Sequence, residues 1–161
     1  MRKFLVLLTS LLLIIGVAAS AGAQSGVMGF DYTLSTSSVT AYGSMALTDK
    51  IKVGVEYSGL LSGTGDFRAD VLYQATGSGQ SSLDVGAGVA FTTPISGFLV
   101  LQGTNYFTEQ LFLHTSIVYK ITPAPTSLSW SAGVGYDFSD SMFAKVSYAN
   151  GAIAVGMGFR F

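Results

Sequence analysis

The stretch ALTDKIKVGVEYSG, residues 46–59, joins a short turn to a segment in which apolar and polar residues alternate strictly. The alternation places four apolar residues on one face and three other residues on the opposite face: Ile51, Val53, Val55 and Tyr57 against Lys52, Gly54 and Glu56. A period of two is the pattern of a β-strand, because successive side chains of a strand point to opposite faces. The stretch therefore predicts a strand that follows a turn.

The turn occurs three times, as LTDKI at 47–51, FTEQL at 107–111 and FSDSM at 138–142. Each copy has a bulky apolar residue, then Ser or Thr, an acidic residue, a variable residue and a second apolar residue. Steps of about 30 residues relate the copies, and the missing step falls at Gly77, in the connector GSGQSS. A repeat of this length fits a hairpin of two strands with their connectors, so four equivalent turns are predicted on one side of a sheet.

Nearly all of the chain after Gln24 alternates in the same way, and short polar connectors separate the alternating segments. The connector Asn150-Gly151 is a strong signal for a tight hairpin turn. We count about ten strands, or eight if the segment around Phe98 and its partner do not span. Residues 98–101 are apolar on both faces, so the alternation does not define their orientation.

The first 23 residues have the order of a secretory signal peptide. Arg2 and Lys3 precede an apolar run at 4–17, and Ala21 and Ala23 form a small-residue cleavage signal. We expect cleavage before Gln24 and a single domain at 24–161. The sequence contains no cysteine, which excludes a disulfide scaffold and thiol chemistry.

The composition of the chain favours a membrane environment. Charged residues make up 11% of the sequence, against about a quarter in soluble domains. No segment after Gln24 reaches the roughly 18 apolar residues of a membrane-spanning helix. A closed β-barrel is then the remaining way to satisfy backbone hydrogen bonds in hydrocarbon. The chain carries no cluster of basic residues after Lys3, so nucleic acid is not an expected partner.

The charged residues of the predicted strands share the face opposite the bulky apolar residues. In a soluble protein that face would meet solvent, and in a membrane barrel it would line the lumen. Many glycines and serines on this face favour the lumen, where small residues leave room for a few long ones. We therefore predict an all-β, closed, antiparallel up-and-down transmembrane β-barrel with short loops and a lumen charge network: Asp31, Lys52, Glu56, Arg68, Asp70, Asp84, His114, Lys120, Asp137, Lys145 and Arg160.

The final residues, AVGMGFRF at 154–161, resemble the C-terminal signal strand of Gram-negative-type outer-membrane β-barrels. Gly156, Phe159 and Phe161 occupy the matching positions, and Ala154 replaces the usual polar residue. The resemblance implies an outer-membrane location in contact with lipid, reached with the help of periplasmic chaperones and the barrel-assembly machinery. In scale the chain is similar to the opacity and OmpA/OmpX-like barrels, without a subfamily assignment.

Catalytic candidates are few. His114 and Ser116 share one face of a predicted strand, and a His–Ser pair with an acid can perform nucleophilic hydrolysis. The pair resembles that of the outer-membrane lipid A deacylases, but the Asn-Ala that follows the serine there is absent. No calcium loop, zinc spacing or nucleotide fingerprint occurs, so we predict neither a metal nor a cofactor.

These observations predict a non-enzymatic barrel whose lumen is largely filled by paired charges and whose role in the envelope is structural or accessory. Barrels of about eight strands are filled by side chains, whereas open channels use about 16–18. A narrow porin-like channel for water, ions or small solutes is the alternative, and a lipid-modifying hydrolase is the third possibility.

Overall fold

A computed structural model describes residues 25–61, 65–78, 80–122 and 126–161. These residues form ten antiparallel strands in sequential order, and pairing of the first strand with the last closes the barrel. The strands are β1 (Gly26–Thr33), β2 (Ser38–Ala46), β3 (Ile51–Tyr57), β4 (Phe67–Ser78), β5 (Ser81–Phe91), β6 (Ser96–Tyr106), β7 (Leu111–Thr122), β8 (Ser127–Ser139), β9 (Met142–Ala149) and β10 (Ala152–Arg160). The predicted ten-stranded up-and-down barrel is confirmed, and the eight-stranded alternative is wrong. No helix in the described residues is long and apolar enough to cross a membrane.

The two ends of the barrel differ in what they carry. One end, here called the terminal end, holds Ser25, Phe161, the turns at 47–50, 107–110 and 140–141, and Gln80 between β4 and β5. The opposite end, here called the loop end, carries the described connecting residues 34–37, 58–61, 65–66, 92–95, 126 and 150–151. The predicted signal peptide, with Ala21 and Ala23, lies outside the described residues.

The repeated turns have closely similar hydrogen bonds. In the first copy, the Thr48 hydroxyl accepts hydrogen bonds from the backbone N–H groups of Lys50 (3.3 Å) and Ile51 (3.0 Å). In the second copy, Thr108 accepts the equivalent pair from Gln110 (3.2 Å) and Leu111 (2.9 Å). In the third, Ser139 accepts one, from Ser141 at 3.4 Å. The Ser or Thr of the sequence pattern is thus the acceptor that holds the turn together.

All four turns of the terminal end also bond to the next hairpin in the same way. The last residue before the second strand of each hairpin offers its backbone carbonyl to an N–H group on the following strand. The four bonds run from Gln74 to Lys50 (2.8 Å), Tyr106 to Gln80 (2.7 Å), Asp137 to Gln110 (2.9 Å) and Arg160 to Ser141 (2.9 Å). The connection between β4 and β5 therefore falls within GSGQSS, as the repeat predicted, but it is shorter than predicted, because Gly77 and Ser78 belong to β4 and Ser81 and Ser82 to β5.

The predicted hairpin at Asn150-Gly151 joins β9 to β10. Both residues have positive φ, 48° at Asn150 and 91° at Gly151. Positive φ at both central positions is what a type I′ turn requires, and Asn-Gly meets that requirement with little strain. The Asn150 side chain also accepts a hydrogen bond from the Trp130 backbone N–H at 3.3 Å.

Candidate functional site

The barrel wall separates an apolar exterior from a charged lumen. In β5, Asp84 is 6% exposed and faces inward, whereas Val85 and Phe91 are 39% and 53% exposed and face outward. Aromatic residues pair on the exterior near both ends, Phe67 with Phe91 at the loop end and Tyr136 with Phe138 at the terminal end. An apolar outer band with aromatic residues at its borders is the surface that a membrane barrel presents to lipid.

Four ion pairs line the lumen, all between residues predicted for the charge network. The distances between nitrogen and oxygen are 2.8 Å for Lys52 with Asp84, 2.9 Å for Lys145 with Asp31, 2.7 Å for Arg160 with Asp137, and 3.7 Å for Arg68 with Glu56. Only the Arg68–Glu56 pair joins neighbouring strands; the other three pairs each reach over an intervening strand. The residue beneath the bridge differs from pair to pair: Leu72 is in register with Lys52 and Phe143 with Asp137, whereas a glycine lies beneath the third bridge.

The Lys145–Asp31 pair is the one that bridges a glycine. Gly156 on β10 is in register with Lys145 on one side and with Asp31 on the other. A Cβ atom added to Gly156 would collide with the Asp31 carboxylate. Lys145 also lies 4.3 Å from the ring centroid of Tyr42, a cation–π distance. A glycine in the lumen wall thus makes the space in which the ion pair forms.

A cluster of five side chains crosses the lumen near the terminal end: Tyr106, Phe112, Asp137, Phe143 and Arg160. The Arg160 guanidinium donates to Asp137 at 2.7 Å and to the Tyr106 hydroxyl at 2.9 Å, and Tyr106 donates to Asp137 at 3.3 Å. Arg160 also lies 4.6 Å from the ring centroid of Phe143 and 5.4 Å from that of Phe112. Since Arg160 and Tyr106 lie on strands four positions apart, this terminal-end cluster spans much of the lumen.

Two glycines make the terminal-end cluster possible. A Cβ atom on Gly135 would collide with the Phe112 ring, and one on Gly158 would collide with the Phe143 ring. The two rings meet edge to face at a centroid distance of 5.7 Å, within the range that aromatic pairs prefer. These two glycines leave room for two large rings, which is the role that the sequence predicted for small residues in the lumen.

The loop half of the lumen contains an apolar cluster that the sequence did not define. Leu72, Ala90, Phe98 and Val100 are each 3–5% exposed, and Val118 packs against them. In β6 the outward residues are Leu99 and Leu101, which are 49% and 38% exposed. Because both faces of β6 are apolar here, only the pairing with β5 and β7 reveals which side faces inward.

The structure places His114 and Ser116 on the lumen side of β7. The His114 ring nitrogen Nδ1 is 3.3 Å from the Thr104 hydroxyl. Among the described residues, no hydrogen bond joins His114 to Ser116, and no carboxylate lies within ion-pair distance of His114. The arrangement lacks the nucleophile–base–acid relay of a hydrolase.

The three predicted assembly-signal residues all belong to the seam between β1 and β10 or its end. Gly156 faces the lumen, whereas Phe159 and Phe161 face outward and are 40% and 50% exposed. Phe161 and Gly26 exchange two backbone hydrogen bonds of 2.7 and 3.0 Å. No group of three or more metal-ligating side chains occurs among the residues that the structure describes.

Similarity to known proteins lies in the fold rather than in the sequence. No family model and no curated protein matches the chain. The KdgM porin aligns at a TM-score of 0.52 with 9% identity, over 85% of this chain and 98% of that one. The NanC porin aligns at 0.53 with 10% identity, over 84% of this chain and 98% of that one.

A triple mutant of the Rhodopseudomonas blastica porin aligns at a TM-score of 0.44 and 16% identity over 77% of this chain. The present chain spans less than half of that porin, 44% of its length. The fold that this chain shares with the KdgM and NanC porins is the closed antiparallel β-barrel. The finer resemblance to opacity and OmpA/OmpX-like barrels stays a prediction, since the structures named here are porins.

Proposed function

We propose that this protein is an integral outer-membrane β-barrel whose narrow, hydrated lumen conducts water and small ions. The observation that carries the proposal is a set of buried lumen oxygens without a hydrogen-bond partner among the described residues: Asp31 Oδ1, Tyr42 Oη, Asp70 Oδ1 and Asp84 Oδ1. Leaving such an atom unsatisfied costs about 1–3 kcal/mol. Buried water is the usual partner of polar groups that the protein itself leaves unpaired.

The size of the barrel limits what it can pass. Ten strands lie just above the roughly eight whose interior side chains fill, and well below the roughly 16 of an open porin. Three of the four ion pairs reach over a single intervening strand, so they lie close to the barrel wall. Only the longest side chains then extend into the middle of the lumen. The proposal is thus a water and ion path, without bulk diffusion of larger solutes.

The terminal-end cluster favours a second candidate function, a non-conducting barrel with a structural or accessory role in the envelope. The hydrogen bond between Arg160 and Tyr106 crosses four strand positions of a ten-stranded wall. Together with the Phe112 and Phe143 rings, it places side chains across the lumen near the terminal end. In a conducting barrel the same cluster would be the constriction.

Planar-bilayer recordings of the refolded protein distinguish the two candidates. The channel proposal expects discrete conductance steps from the wild-type protein and larger steps from Tyr106→Ala, which removes the cross-lumen hydrogen bond but keeps Arg160 paired with Asp137. Tyr136→Ala is the matched control, because Tyr136 faces outward and donates only to Gln110 in a turn. If neither the wild type nor Tyr106→Ala gives steps, the barrel is a non-conducting one.

The outer-membrane location and the route to it are part of the proposal. Support comes from the apolar exterior and from the resemblance of residues 154–161 to an assembly signal. We expect export through the signal peptide 1–23, insertion by the barrel-assembly machinery, and recovery in outer-membrane fractions as a band whose gel migration changes on heating. Recovery in a soluble fraction would contradict this location. Deletion of Phe161 should reduce the inserted amount in cells but not refolding of the purified chain.

A further inference from the structure

In the part of the chain that the structure describes, two lumen charges have no ionic partner. Five basic and five acidic side chains face the lumen, and the four ion pairs use all of them except Asp70 and Lys120. Within the described residues, neither has an opposite charge within 4.0 Å or a side-chain hydrogen bond. Arg68, two residues from Asp70 on the same face of β4, is engaged with Glu56 instead.

Asp70 lies between two glycines, Gly54 on β3 and Gly88 on β5, which are in register with it. Its Oδ1 atom occupies the space above Gly54, where a Cβ atom would lie only 2.6 Å away. That oxygen is buried and accepts no hydrogen bond from the described residues. The strand that carries Gly54 therefore makes room for the carboxylate itself, and the neighbouring strands supply no donor to it.

Lys120 is too distant to neutralise Asp70. The register runs from Asp70 through Gly88 and Phe98 to Lys120, which is three strands away. Three strand spacings correspond to about 14 Å along the wall. The Phe98 ring stands over Gly88, in the space that a Cβ atom there would occupy, and so lies between the two charges. Asp70 and Lys120 therefore do not neutralise each other.

We propose that Asp70 binds a small monovalent cation in the loop half of the lumen and so gives the channel a preference for cations, with Lys120 opposing it. An isolated carboxylate among wall side chains needs a compensating charge, and the basic residues near it are already paired. One carboxylate does not provide the six to eight oxygen ligands of a calcium site, which favours a hydrated monovalent ion. The inference rests on the proposed channel function.

The test is the reversal potential in a KCl gradient across a planar bilayer. We expect wild-type channels to prefer potassium over chloride, Asp70→Asn to bring the permeability ratio towards unity, and Lys120→Met to raise it. Asp49→Asn, in an exposed turn at the terminal end, is the control and should leave the ratio unchanged. Conducting channels whose ratio is unaffected by both lumen variants would overturn the inference and leave the channel function intact.

A second measurement keeps the inference testable if no conductance is seen. Thermal unfolding of the refolded protein is compared in KCl and in tetramethylammonium chloride at equal ionic strength, because the larger cation is excluded from a narrow lumen. We expect potassium to raise the midpoint of the wild type relative to tetramethylammonium, and to have no such effect on Asp70→Asn. Equal midpoints for the wild type in both salts would overturn the proposed cation site.

Discussion

Lys145 and Asp31 form a 2.9 Å ion pair although β10 lies between their strands, because both residues are in register with Gly156. The absent side chain of Gly156 is the space that the Asp31 carboxylate uses. The lumen of this barrel is therefore organised by where glycines lie as much as by where charges lie.

Gly156→Val should separate this ion pair and lower the free energy of unfolding by about 3 kcal/mol, because it leaves a buried charge without its partner. Asp31→Asn removes the same interaction from the other side. In urea unfolding of the refolded protein, the double variant should cost less than the two single variants added together. Strict additivity would contradict a shared interaction. Refolding of purified chain separates this effect from any role of Gly156 in assembly.

The contribution of the threonine hydroxyls in the terminal-end turns to the stability of the barrel can be tested separately. Thr48→Val should cost about 1 kcal/mol, because two backbone N–H groups lose their acceptor. Thr108→Val should cost a similar amount for the same reason, and Thr48→Ser should cost little. Thr126→Val, at an exposed loop-end position, serves as the control in the same urea titration. A stability of Thr48→Val equal to that of the control would contradict the assigned role.

Two connections at the loop end, between β9 and β10 and between β1 and β2, can be tested by substitutions with opposite expected effects on stability. Gly151 has φ 91°, so Gly151→Ala should destabilise the barrel by about 1 kcal/mol. Ser37 also has positive φ, 48°, and Ser37→Gly should be neutral or stabilising because glycine adopts this conformation without strain. The thermal unfolding midpoint of Gly151→Ala should therefore lie below that of the wild type. The midpoint of Ser37→Gly should lie above the wild-type value or equal it. A stabilised Gly151→Ala would count against the type I′ assignment.

His114 and Ser116 should not support hydrolysis. His114 faces the lumen, contacts Thr104, and has no carboxylate within ion-pair distance among the described residues. We expect the wild type, His114→Ala and Ser116→Ala to release no more fatty acid from lipid vesicles than vesicles without protein do. Release by the wild type that both substitutions abolish would restore the hydrolase interpretation.

Alternation predicted the strands and their number because the two-residue period of a strand is a local property of the backbone. A turn near Gly77 could be predicted for a similar reason, because the length of the hairpins repeats along the chain. The sequence could not orient Phe98 and Val100, because apolar residues occupy both faces of β6 and alternation carries no signal there. Their inward direction depends on the register with β5 and β7.

The alternation of the sequence also could not predict which acidic residue pairs with which basic residue. The sequence placed Asp70 and Asp84 on one face, but which of them Lys52 reaches depends on how the strands are staggered around the closed wall. In the barrel Lys52 reaches over β4 to Asp84, and Asp70 has no ionic partner among the described residues. The expectation of a largely filled, charge-paired lumen is therefore not confirmed as a whole, and the channel alternative supplies the function proposed above.

The single tryptophan of the chain, Trp130, faces outward near the loop end, where it is 46% exposed and packs against Tyr148. In the outer-membrane barrel that we propose, its fluorescence should respond to quenchers attached at known positions along lipid acyl chains. The barrel thus contains a built-in optical reporter of how far its loop end lies from the middle of the bilayer, and insertion can be followed in real time without a label.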